Sequence, residues 1–375
     1  MNDSIERMIC ELSLWKNEYD RRAGVMCDAF LGRGDGKPLL LLSSGHAMQR
    51  EIAGYNPKDI HFDSDKMLQN ELRAALSVQV AGSAAVPSVR ANMGCGIVPA
   101  LFGVLPELFE DKMPWVQKHL TKEEISDMTV ADIKITPEFR QALDHMEYFT
   151  QVLRGSGVRV YPVDIQGAFD TAHIVYGDDI FYQIYDDPEF VHHLLKLSTA
   201  AALLAFDECT KRIDGSDDMV AHYNALVMPA SNGAIKLSED TSTLISKAQI
   251  EEFVMPYIRE IFDATGGGYI HYCGYNEHLY DAVIDESRAW AFNFGNPDKH
   301  DMEAVLRDMA LREQFYYGPI PEKKGEARSD YFSRLIEASV MENGKSNLML
   351  CYICRPEDAE TVVAEFNRAA QIINV

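Results

Sequence analysis

The chain has 375 residues, 47% apolar and 25% charged, which suits one large domain with a sizeable core and excludes a disordered or collagen-like chain. Its 35 Lys and Arg face 58 Asp and Glu, a net charge of -23 that argues against nucleic acid and anionic membranes as partners. The longest apolar stretch, residues 200–206, is too short to span a bilayer, and charges run through the first twenty residues, unlike a signal peptide. A cytoplasmic protein is expected, with its seven irregularly spaced Cys as thiols or metal ligands rather than a disulfide framework.

Residues 1–80 read as an N-terminal helical extension, with a helical opening, a turn-rich segment at 32–36 and an apolar run at 39–42. Gly32, Gly34 and Gly36 match neither a dinucleotide fingerprint nor a phosphate loop, because Pro38 follows Lys37 where Ser or Thr is required. A solvated turn is the expectation there. Residues 81–375 then read as one α/β domain. Strands are expected at 86–92 and 158–164, a long helix starts at Asp187-Pro188-Glu189 and runs through Phe206, and 220–227 forms a further strand. Ser246 with Gln249 makes a capping box for a helix whose Ile250, Phe253, Val254, Tyr257, Ile258 and Ile261 recur at helical spacing until the glycines at 266–268. Strands at 269–273, 291–294, 315–317 and 348–353 start 22, 24 and 33 residues apart, the length of a parallel strand–helix unit. Pro356, Glu357 and Asp358 open a last helix with Val362, Val363, Phe366, Ala369 and Ile373 on one face. Seven or eight strands in this rhythm predict a closed (β/α)8 barrel.

His271 and Cys273 stand two residues apart on a strand, so imidazole and thiol project from one face at the rim where barrel active sites are built. Cys351 comes to the same rim from the last strand, and Cys354 competes with it from the opposite face. One imidazole and two thiolates suit Zn²⁺ with a fourth position open. Without further context, however, the pattern reads first as buried thiols filling a core. Asp164 and Gln166, at a strand end, either anchor a polar substrate group or cap the next turn, and Asp240 either orients a ligand, contacts substrate or caps a loop. Asn92, Asn293 and Tyr317 also lie at strand ends and are candidates to line a pocket. His46, His173 and Cys95 read as structural, and Trp15, Trp115 and Trp290 as core. There is no Gly-x-Ser-x-Gly elbow, and Asp298-x-His300 lacks the Gly of a corrinoid-carrying module, Glu303 standing in its place.

Several blocks resemble the uroporphyrinogen decarboxylase superfamily. They are Asn92-Met93-Gly94-Cys95-Gly96 with Phe102-Gly103, Asp164-Ile165-Gln166-Gly167-Ala168-Phe169-Asp170, Asp186-Asp187-Pro188-Glu189, Ser238-Glu239-Asp240-Thr241, His271-Tyr272-Cys273-Gly274 and Asn293-Phe294-Gly295-Asn296-Pro297, in the family's order across residues 85–370. The resemblance implies a (β/α)8 barrel and either tetrapyrrole decarboxylation or zinc-dependent methyl transfer from a corrinoid protein to a thiol. The decarboxylases' Arg-rich segment is replaced here by Ser43-Ser44-Gly45-His46-Ala47-Met48-Gln49-Arg50, and their C-terminal Gly-His-Gly turn by Cys351. Both departures favour the methyltransferase branch. There, zinc would be held by His271, Cys273 and, 77 intervening residues later, Cys351, although Leu350 departs from the usual Gly. Asp164 and Asp240 become candidate catalytic residues, Asn92, Gln166, Asn293 and Tyr317 candidate substrate contacts, and a separate corrinoid protein the expected partner. A decarboxylase and a non-catalytic binding barrel are the alternatives; the acceptor and the oligomeric state stay open.

Overall fold

The computed structural model describes residues 2–373. The chain opens on a helix, Asp3–Ser13, whose first free N–H groups are met by Asn2: its side chain accepts from Ile5 N at 3.0 Å, a cap worth about 1 kcal/mol. Ile5, Met8 and Leu12 form its buried stripe. The next helix, Lys16–Phe30, buries Arg22. A buried guanidinium needs acceptors, and the carbonyls of Val78, Val80 and Ala85 supply them at 2.8–3.3 Å. Gly32, Gly34 and Gly36 then take up positive φ in an exposed turn, as expected.

Among the described residues twelve strands follow: β1 (Leu39–Ser44), β2 (Ser88–Val89), β3 (Pro106–Glu107), β4 (Trp115–Val116), β5 (Arg159–Val160), β6 (Met219–Ala221), β7 (Val227–Pro229), β8 (Ile235–Ser238), β9 (Gly268–Tyr272), β10 (Ala289–Phe294), β11 (Phe315–Gly318) and β12 (Leu348–Cys354). Six of them form one parallel sheet in the order β1-β12-β11-β10-β9-β8. Helices connect its consecutive members from β8 to β12, the mixed α/β rhythm read from the sequence. The apolar run 39–42 is therefore a sheet strand, Leu41 pairing with Cys351, rather than part of a packed arm.

The ladder is six strands wide and does not close among the described residues into the expected eight-stranded barrel. β2 and β5 pair with each other in parallel, over two residues only. The expected strands 86–92 and 158–164 contain Pro87 and Pro162, which lack the N–H a ladder needs, so pairing is confined to the residues between and beside them. Single contacts tie this pair to the sheet: Ala84 N donates to Leu40 O at 2.7 Å, and Gln166 bridges Ser238 in parallel. The run 220–227 is not one strand. It folds back as the antiparallel hairpin β6–β7.

The helix expected from 247 onward is two, Lys247–Phe253 and Met255–Thr265, because Pro256 has no N–H to continue the first. The long helix Pro188–Thr210 and the terminal Ala359–Ala369 stand where expected, the latter entered through a 3₁₀ turn at Pro356–Asp358, with Ile373 beyond its end. Trp115 is 51% exposed and not a core residue, whereas Trp15 and Trp290 pack against the core. Among the described residues no helix is long and apolar enough to cross a membrane.

Candidate functional site

The sheet register decides which strand-end side chains meet. β8, β9 and β10 align Ser238, His271 and Asn293 in one row at their C-terminal ends. Asn293 Nδ2 donates to Tyr317 O at 2.7 Å, which turns its Oδ1 toward His271 Nδ1 at 2.6 Å. An amide oxygen only accepts, so the proton of neutral His271 sits on Nδ1 and the lone pair on Nε2. That Nε2 lies 3.5 Å from Cys273 Sγ and 3.8 Å from Asp240 Oδ1. Cys273 N donates to the same Asp240 oxygen at 2.6 Å. Gly295 leaves room for the thiol, since a Cβ there would stand 2.4 Å from Sγ.

Asp240, His271 and Cys273 thus offer O, N and S donors all within 4.8 Å of one another. A borderline-soft set of this kind is compatible with zinc. Cys351 is not part of the group: β10 and β11 stand between its strand and β9. Its thiol is pushed up to about 12 by burial. Cys354 pairs in register with Ser44, away from the group. All seven Cys are free thiols.

Beside this cluster lies a cavity of roughly 230 Å³ whose wall includes His271, Asp164, Gln166, Asn293 and Tyr317. All five were expected at the site from the sequence or from the resemblance. Asn92 does not line the cavity; it bonds Glu71 at 3.1 Å and accepts from the Arg90 guanidinium at 3.2 Å, so it orients the arginine that does. Asp164 sits between Lys236, which hydrogen-bonds it, and Arg90 at 3.6 Å. Burial alone would raise its carboxyl, but the two cations hold it well below the ordinary range, as a fixed anion. His222 also lines the cavity, buried, with Nε2 unpartnered and its ring edge-on to Tyr269 at 5.0 Å. Burial, aided by Lys236, pushes it down to about 3.

No family model and no curated protein matches the chain. Among solved structures, a "methyltransferase from Methanosarcina mazei" superposes with a TM-score of 0.63 over 92% of this chain and 96% of that one, at 12% identity. The chain shares its fold with a methyltransferase.

Beneath the cluster lies a second group of acids that the sequence reading left without a role. Asp170, on the helix Ala168–Tyr176, accepts from Asp240 N at 2.8 Å and Thr241 N at 2.7 Å. Burial and the Asp240 carboxylate push it up to about 7. Glu239 is buried, takes the Ser242 hydroxyl at 2.7 Å and leaves its other oxygen unpartnered; burial and Asp170 raise it well above the usual carboxyl range. Gly167 is a glycine for this reason, because a Cβ would fall 1.8 Å from that Glu239 oxygen. Both acids lie inside the motif blocks 164–170 and 238–241, the one signal that could have found them. Arg90 and Lys236 carried no such signal. His46 and His173 have structural partners: the first caps the helix Ala47–Glu51, and the second bridges Thr241 and Asp178 at 3.1 and 2.8 Å.

Proposed function

We propose that the chain is a zinc-dependent methyltransferase of the uroporphyrinogen decarboxylase superfamily, taking a methyl group from a corrinoid on a partner protein and passing it to a small thiol. The observation that carries this reading is the orientation of His271: Asn293 Oδ1 accepts a hydrogen bond from its Nδ1–H and leaves the Nε2 lone pair facing Cys273 and Asp240. Those three residues would hold the metal. Bound zinc would supply Lewis acidity, lowering the proton affinity of an acceptor thiol in the open position.

The protein's own groups do the remaining work. Cys273 N fixes the Asp240 carboxylate, and the Asp164–Lys236–Arg90 array presents fixed charge to the polar end of the acceptor. Tyr269 and Tyr317, packed edge-on at 5.5 Å, keep water from the inner wall. In the same reading, β2 and β5 fill the gap between β1 and β8 and complete an eight-stranded barrel wall. The fold likeness to a methyltransferase and the motif blocks support the assignment.

Metal analysis tests it. Wild type is expected to hold about one Zn²⁺ per chain, His271→Ala and Cys273→Ala to lose it, and Cys351→Ala to keep it. Zinc-free wild type, or metal retained by Cys273→Ala, would refute the site; loss in Cys351→Ala would restore that thiol as the third ligand. Methyl transfer is then followed by corrinoid absorbance, using a methylated corrinoid protein and a thiol panel.

A further inference from the structure

The donor group depends on one residue that does not belong to it. Asp240 lies two residues past the end of β8, beyond the last backbone bond to β9, in which Glu239 N donates to His271 O at 2.8 Å. Its position is set from below, by the buried Asp170, whose two oxygens each accept one of the consecutive N–H groups of Asp240 and Thr241. From above, Cys273 N holds the Asp240 side chain. The backbone and the carboxylate of Asp240 are therefore clamped independently. Asp170 in turn is held by its helix, whose N-cap is Gly167, and Gly167 N donates to Ser238 O at 2.8 Å. The path from β8 through Gly167 and Asp170 back to Asp240 is a closed loop of short hydrogen bonds.

We infer that Asp170 is a positioning residue for the donor group: it acts on the metal only through Asp240, by fixing the backbone that carries that carboxylate. The inference rests on the zinc reading above. Its chemistry is that of an outer acceptor which orients a ligand, and loss of such partners elsewhere lowers metal affinity roughly 10- to 100-fold.

The test compares zinc affinity, by competition with a chromophoric chelator, in the full-length wild type, Asp170→Asn, Asp240→Asn and the double variant. Asn keeps the volume of Asp170 but can accept only one of the two N–H groups. The expected result is zinc binding about 10-fold or more weaker in Asp170→Asn, with the double variant no weaker than Asp240→Asn alone. A stability change without an acting ligand would not give that non-additivity. Wild-type affinity in Asp170→Asn, or additive losses in the double variant, overturns the inference while leaving the zinc site intact. No zinc in the wild type overturns both. Should Asp170→Asn fail to fold, Asp170→Ser carries the same comparison.

Discussion

The two acidic regions around the candidate site contain the same functional group in opposite states. Asp164 lies between Lys236 and Arg90 and is held as an anion, whereas Asp170 and Glu239 have no ion-pair partner among the described residues and are pushed toward the protonated form. Burial raises all three; only the neighbours differ. The cavity wall is thus built on compensated charge, whereas Asp170 and Glu239, outside that wall, are carboxyls that hold structure by accepting backbone and hydroxyl hydrogen bonds.

The largest effect should come from breaking the charged wall. Lys236→Met leaves Asp164 with only the more distant Arg90 and is expected to cost about 3 kcal/mol in urea unfolding, the scale of breaking a buried pair. Adding Asp164→Asn should recover most of that loss. A double variant as unstable as the single one would mean that Lys236 acts by packing rather than by charge.

The uncompensated acids are tested sterically. Gly167 has φ -65° and ψ 173°, a conformation open to alanine, so Gly167→Ala probes only the contact with Glu239. We expect a loss of roughly 2 kcal/mol from overpacking, relieved when Glu239→Ala is combined with it. Full additivity of the two changes would place the strain elsewhere.

The subtlest test is pH. His222 is held neutral down to about 3, against an ordinary value of 6.5. Between those limits the unfolded chain binds a proton that the folded protein does not, so stability present above pH 6.5 is lost as the pH falls. From pH 7.5 to pH 5 this side chain should account for about 2 kcal/mol of wild-type loss, absent in His222→Gln. Parallel urea midpoints for the two proteins across that range would show instead that His222 takes up its proton in the folded state.

Much of this molecule is determined by its sequence alone, because the relevant forces are local. The strand–helix rhythm from 269 to 354, the capping box at Ser246 and the Pro188 helix start all depend on neighbours within one turn or one strand. The shared face of His271 and Cys273 follows from the two-residue period of an extended chain. What only the tertiary structure decided is which distant residues complete that pair. Asp240 rather than Cys351 comes within reach, because β8 is the direct neighbour of β9 while β12 is separated from it by two strands. The pairing of Asp164 with Lys236 and Arg90, and the clamp of Asp170 on Asp240, join residues about 70 positions apart. No periodicity encodes such contacts: strand register and the interruption of the ladder at prolines 87 and 162 set them, and both take effect only in the packed sheet.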